Sequence, residues 1–370
     1  MLAREAGQRV ISRNRPSESR TKALRPLPTI ASISAISQLV PGKFIYLVQN
    51  GDGDHIVVKN ENHPRDAETV SHSYAMMAKI SPGGEAKLLS SDEQGELSTF
   101  VADSIADLRL HNQGIPAYLT DLDDALTSAR NSKWVKMREV SNLSTLADAI
   151  NALGTQAANR KAGVRTFARM LNGGQGLEAL GRMIAIDAYN HNLDRFDPTV
   201  MMLRDLGQPT MLQEVQDGPT RTSRRVMVNS GNVFTTFQAR QNLLVGLDSY
   251  DPSNAFSLQS TIADQERNAA GLWAGWILQP VPRAQQWRKK YSELIALDLD
   301  DALGARNRRF SFLKQTRLDS NAPHRLRVGF KQGMDILCME LLRLHHRGLA
   351  SAGIKDRYNT LGEGKPHGAA

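Results

Sequence analysis

Lys43-Phe44-Ile45-Tyr46-Leu47-Val48-Gln49, Asn50-Gly51-Asp52-Gly53 and Asp54-His55-Ile56-Val57-Val58-Lys59 follow one another without a break. The first and third runs are rich in β-branched and aromatic residues, and the second is a glycine-rich tight turn, so the stretch predicts a β-hairpin. Pro64 to Ile80 comes next, with Val70, Tyr74, Met77 and Ile80 at three-to-four spacing and Pro64 placed to begin a helix. Pro82-Gly83-Gly84 and Leu88-Leu89 predict a loop with a short strand over 81–97, followed by a helix over 98–110. Ser132 to Val140 reads as another strand, leading into a polar helix near 144–155.

Beyond that point helices dominate. Leu177 to Asn190 carries Leu177, Leu180, Ile184 and Ile186 on an apolar face, with Gly173-Gly174 just ahead of it. Two short extended runs interrupt the helices: Arg225–Asn229 with Val233–Phe237 around Ser230-Gly231-Asn232, and then Leu243–Leu247. Long helices are expected within 260–350, including 262–278 and 330–348. No internal repeat is present. The order predicts an α+β chain: a small β-rich lobe over 35–142 and a larger, mainly helical lobe over 143–350. Residues 1–34 read as a disordered basic segment and 351–370 as a flexible tail.

The chain has 370 residues, enough for an extensive core in about two units. Its single cysteine, Cys338, rules out a disulfide framework and a cysteine-rich zinc module, and it suits a reducing, cytoplasmic setting. No apolar run is long enough to predict a transmembrane segment. The net charge is +8, from 46 Lys and Arg against 38 Asp and Glu. Seven basic and two acidic residues fall in the first 30, which therefore hold +5 of that charge and leave the body at +3. A nearly balanced body argues against a dedicated nucleic-acid surface and leaves only a weak polyanion contact to the basic head. The head also lacks the apolar core of a secretory signal.

Four segments carry candidate chemistry. Lys59 ends an apolar strand after a glycine-containing turn, where a fixed cation can hold nucleotide phosphates; taken alone it reads as a solvated strand-end residue. Glu68, with Asp66 as the other choice, can pair with Lys59 from the following helix, or can simply favour the first helical turn. Asn190-His191-Asn192-Leu193-Asp194-Arg195-Phe196-Asp197-Pro198 turns sharply out of an apolar helix. Asp194 there can accept the proton of an attacking hydroxyl while Arg195 fixes the loop, and the competing reading is a helix C-cap with a solvated loop. Asn232 and Asp248 stand beside or at the end of short apolar strands, where an amide oxygen and a carboxylate are hard ligands for Mg²⁺ (or Mn²⁺); an ordinary turn and a strand-closing residue are the plain alternatives. Asp251 is either a second ligand or the turn before Pro252.

In their joint order these segments resemble the atypical kinases related to actin-fragmin kinase and, more distantly, the phosphatidylinositol kinases. The resemblance runs from about Gly42 to Asp251. It implies a bilobal, protein-kinase-like fold that binds ATP, with Lys59 on the phosphates, Glu68 as its helical partner, Asp194 as the catalytic-loop aspartate beside Arg195, and Asn232 with Asp248 on Mg²⁺. It further implies transfer of the ATP γ-phosphoryl group to a protein Ser/Thr hydroxyl, with a pseudokinase acting as a binding protein, or a lipid kinase, as the alternatives. The sequence departs from the protein-kinase pattern at three places: Thr199 stands five positions after Asp194, no G-x-G-x-x-G loop is present so that Asn50–Gly53 must cover the phosphates, and Ser249-Tyr250 follow Asp248. The compact format and basic head also resemble bacterial effectors delivered into host cells by a specialised export system, which makes a host protein one expected substrate.

Overall fold

A computed structural model describes residues 27–40, 42–61, 67–81, 85–128, 133–140, 142–151, 157–198, 227–228, 233–238, 241–247, 258, 269–305 and 317–362. The chain is mixed α+β. Its N-terminal part is a five-stranded antiparallel sheet ordered β1-β2-β3-β5-β4, from β1 (Ala35–Gln38), β2 (Ile45–Gln49), β3 (His55–Glu61), β4 (Ala86–Leu88) and β5 (Lys133–Arg138). The expected hairpin is β2–β3, in register from Ile45↔Lys59 to Gln49↔His55. Its turn is closed by Asn50, whose Oδ1 accepts from the amides of Asp52 and Asp54 at 3.1 and 2.9 Å. Gly53 closes the bend at φ +80, a conformation that a residue with a Cβ resists.

The two faces of this sheet have different covers. On one, Tyr46, Val48, Ile56, Val58 and Trp134 pack under α2 (Ser91–Leu110) and α3 (Ala117–Thr127), which contribute Leu97, Val101, Ile105, Leu119 and Leu122. On the other, Val57, Val135 and Met137 meet Val70 and Tyr74 of α1 (Ala67–Ala78). Alternation along β3 decides who faces what. Ile56 and Val58 point to the α2–α3 side, so Val57, Lys59 and Glu61 share the α1 side.

Three expectations need correction, and two elements are new. The helix over 98–110 begins seven residues earlier, at Ser91, because Ser90 and Glu93 form a reciprocal capping box. Helix α3 and edge strand β1 were not foreseen. Residues 27–34 belong to the folded body: Leu27 and Ile30 are buried, Ile30 donates its amide to Glu93 Oε1 at 3.0 Å, and Lys136 Nζ reaches Pro28 O at 2.9 Å. Lys136 and Glu93 also form a buried ion pair under that segment. Burial by itself would raise the Glu93 pKa, but the Lys136 hydrogen bond and the Ile30 and Ser90 amides outweigh it and hold the carboxyl below its usual value. Finally, residues 352–362 form a packed helix with Ile354, Arg357 and Leu361 buried, where composition suggested a loose tail.

The remainder is mostly helical. A short strand β6 (Leu143–Thr145) leads into α4 (Leu146–Asn151), then α5 (Ala157–Asn172) and α6 (Gly176–Asn190). After β7 (Phe196–Asp197), β8 (Met227–Val228), β9 (Phe234–Gln238) and β10 (Gln241–Val245) come α7 (Ala269–Ile277), α8 (Pro282–Asp300), α9 (Ala322–His346) and α10 (Ala352–Gly362). Strands β10, β9 and β6 make a second antiparallel sheet, and β7 pairs with β8. Helix α6 is the hub. Every residue from Met183 to Asn190 is buried, the signature of a helix enclosed on all sides rather than along one stripe.

Candidate functional site

Helix α6 ends where its periodicity predicts. His191 takes the left-handed conformation at φ 57, and the Asn192 amide returns to Asp187 O at 2.8 Å, stopping the helix before the loop that carries Asp194. Asn192 then shapes the loop twice. Its Nδ2 donates to Asp187 Oδ1 at 3.2 Å, and its Oδ1 accepts from the Asp194 amide at 3.1 Å. Asp194 itself is exposed, on a backbone that is fixed.

Arg195 is the anchor. Only 1% of it is exposed; Nε donates to Asp187 Oδ2 at 2.8 Å, and a terminal guanidinium nitrogen donates to Leu247 O at 2.7 Å. The second bond ties the Asp194 loop to the end of the strand that sequence analysis read as leading into Asp248. Gly246 adds a third element, because its amide donates to Ser81 Oγ at 2.6 Å and a Cβ there would lie 2.5 Å from Met77 Sδ. The α6 end, the residues after β10 and the α1 end therefore meet within a few side chains.

Asp187 was not singled out in the sequence, although a carboxylate set among the apolar residues of the second half of α6, eight residues before an arginine, was the available signal. Replacing it tests the anchor. Asp187→Asn leaves a buried guanidinium facing an uncharged amide, and the fold is expected to lose about 3 kcal/mol, at the low end for breaking a buried pair because Leu247 O still accepts. Urea unfolding of the variant against wild type measures it.

Lys59 lies on β3, half-buried on the α1 face. Its Nζ is 3.1 Å from Glu61 Oε1, and Glu61 in turn accepts a hydrogen bond from Tyr74 on α1. Glu61 is a second carboxylate that sequence reasoning missed, because the strand was taken to end at Lys59; one more step of period two would have found it. Glu68 occupies the first turn of α1 and is exposed. Asp66, Asn232, Asp248 and Asp251 lie outside the described residues. The Asn50–Gly53 turn is no open phosphate cradle: the amides of Gly51, Asp52, Gly53 and Asp54 go to Ala31 O, Asn50 Oδ1, Asn50 O and Asn50 Oδ1.

Helix α1 joins Lys59 to α6. Ser73 O accepts from Asn190 Nδ2 at 3.1 Å, and His72 Nε2 lies 2.7 Å from Tyr189 Oη. From the other side Arg357 of α10 donates to Tyr189 O at 2.9 Å, sits 4.9 Å over the Tyr189 ring and lies 2.9 Å from His191 Nε2. Burial pulls the Arg357 pKa down to about 10. Burial, reinforced by the Arg357 charge and opposed by Glu340, takes His72 down to about 4. His72 is thus neutral in the fold, while an unfolded imidazole titrates near 6.5.

Between those two values the unfolded chain binds the extra proton, so stability rises with pH and its His72 share is complete above about 6.5. Moving from pH 7.5 to 5 is expected to remove about 2 kcal/mol through this group alone. The lowered carboxyls of Glu93, Glu178 and Glu340 act in more acid solution, below the ordinary glutamate value of 4.5. Urea midpoints of wild type and His72→Gln across that interval check it. The variant should lose the pH slope, and an unchanged slope would sink the assignment.

Among the described residues no group of His, Cys, Asp and Glu is arranged to hold a metal ion, and no helix is long and apolar enough to cross a membrane. Comparison with protein-family models, curated proteins and solved structures finds no match.

Proposed function

We propose that the chain is an ATP-dependent kinase of bilobal, protein-kinase-like fold that transfers the γ-phosphoryl group to a hydroxyl, with protein Ser/Thr as the acceptor. The observation that carries the reading is the Arg195 bridge. It holds the loop of an exposed aspartate, Asp194, against the chain segment that runs into Asp248. Two further features support it. Lys59 stands on the third strand of an antiparallel sheet, with a helix packed on the lysine's own face, which is where kinases carry the phosphate-binding lysine. Glu61, 2% exposed, keeps that lysine beside a negative partner while its side chain stays partly open.

In this reading Lys59 holds the nucleotide phosphates, Arg195 positions the loop, and Asp194 orients the acceptor hydroxyl and takes its proton. Most of the rate comes from that positioning. Mg²⁺, when bound, neutralises phosphate charge, and Asn232 and Asp248 are its proposed ligands. A binding protein without transfer activity is the second reading, favoured by the Asn50–Gly53 turn, whose amides are spent within the fold. Incubation with γ-labelled ATP, Mg²⁺ and a cell extract separates the two. A labelled extract protein that depends on Asp194 supports the kinase. Absence of label, together with no ATP-dependent rise in melting temperature, supports the binding protein.

A further inference from the structure

A cavity of about 510 cubic ångström opens between the residues that follow α1, the α5–α6 turn and β10, with no residue of the Asp194 loop in its lining. Its volume falls in the range of small-molecule sites. The floor is apolar, formed by Ile80, Met170, Met183, Leu243 and Leu244. Ile80, Met170 and Leu243 are only partly buried, so they offer apolar surface to the opening. Two arginines stand in the wall. Arg169 is exposed on the last turn of α5, and Arg182 is half-buried on α6, spending one terminal nitrogen on Gln332 Oε1 at 2.8 Å. A guanidinium has five N–H donors, so Arg182 retains donors for a ligand. Glu178, whose charge also acts on Arg182, is hydrogen-bonded by Arg325 at 2.8 and 2.7 Å and so is shared with a third guanidinium.

An apolar floor under two cations fits one kind of small molecule. We infer that this cavity binds an amphipathic anion, an alkyl or acyl chain ending in a carboxylate or phosphate, with the chain on the Met170–Leu243 floor and the head between Arg169 and Arg182. The site is independent of the phosphoryl-transfer reading. Because Ile80 follows α1 and Leu243 belongs to β10, occupancy touches the two elements that meet at Ser81 and Gly246.

Calorimetric titration of the full chain with decanoate, decyl phosphate, decanol and inorganic phosphate, below micelle-forming concentrations, tests the inference. Saturable one-to-one binding of the two decyl anions is expected, with decanol and inorganic phosphate each about tenfold weaker or more. The tighter of the two anions identifies the head group. Arg169→Gln changes an exposed residue and should weaken the anions about tenfold without affecting decanol. Ala179→Phe fills the cavity from its wall and should abolish binding; if that variant does not fold, Arg182→Gln takes its place. Equal affinity for decanol and decanoate, no binding of either anion, or unchanged binding in Arg169→Gln would each overturn it.

Discussion

Asp194→Asn is expected to lower phosphoryl transfer by about 10³-fold while leaving the melting temperature within a degree of wild type. The two halves of that expectation have separate origins. The Asp194 side chain is exposed, and the loop is held by its backbone amide on Asn192 Oδ1 and by Arg195, so an isosteric amide removes a base without disturbing the fold. An amide accepts a hydrogen bond but does not take up the proton of a hydroxyl, which is the loss the rate should register. Arg195→Met should behave in the opposite way, lowering stability together with activity, because it strips the charge partner from buried Asp187. Parallel measurement of label transfer and thermal unfolding distinguishes them. Undiminished transfer by Asp194→Asn would remove Asp194 from the catalytic role, whatever the fate of the fold.

The difference between these two neighbours was only half legible in the sequence. Asp194 was accessible to reading because the apolar period of α6 stops at Asn190 and a run of polar residues follows. That Arg195 fixes the loop was read as well, but its partner was not, since Leu247 lies 52 positions away and no local pattern encodes that contact. The same limit explains Lys136 and Glu93, 43 residues apart, and Arg357 against Tyr189, 168 apart. Alternation and helical period report which face is buried, but not which distant element buries it. The hairpin was legible for the converse reason, because strand, turn and strand are contiguous and the glycine-rich turn sets the register. Two misses in the fold, like those of Glu61 and Asp187 in the site, were local and avoidable. Ser90 and Glu93 spell a capping box, and Ile354, Arg357 and Leu361 fall at helical spacing inside a segment judged by its Gly, Lys and Pro.

Gly329→Ala should destabilise the protein by about 3 kcal/mol, although alanine is the better helix former by about 1 kcal/mol. The argument lies in the crossing of α6 and α9. A Cβ on Gly329 would lie 2.7 Å from the carbonyl carbon of Glu178 and closer still to its oxygen. From the facing side, a Cβ on Gly181 would meet Phe330 N at 2.8 Å and come closer to Leu326 O, while one on Gly333 would lie 2.7 Å from Ala185 Cβ. These are mostly backbone atoms, which no rotamer change can move aside, so a methyl group must push the helices apart along the contact. That movement would loosen the packing of Leu326, Phe330 and Leu337 and strain the Glu178–Arg325 pair beside it. Gly95 provides the matched control. It lies within α2, is exposed, and a Cβ there meets nothing within 4 Å, so Gly95→Ala should stabilise by about 0.5–1 kcal/mol from propensity alone. Urea unfolding of the two variants should therefore move in opposite directions. If Gly329→Ala were neutral or stabilising, the close approach of α6 to α9 would be wrong, and with it the placement of the loop that α6 delivers.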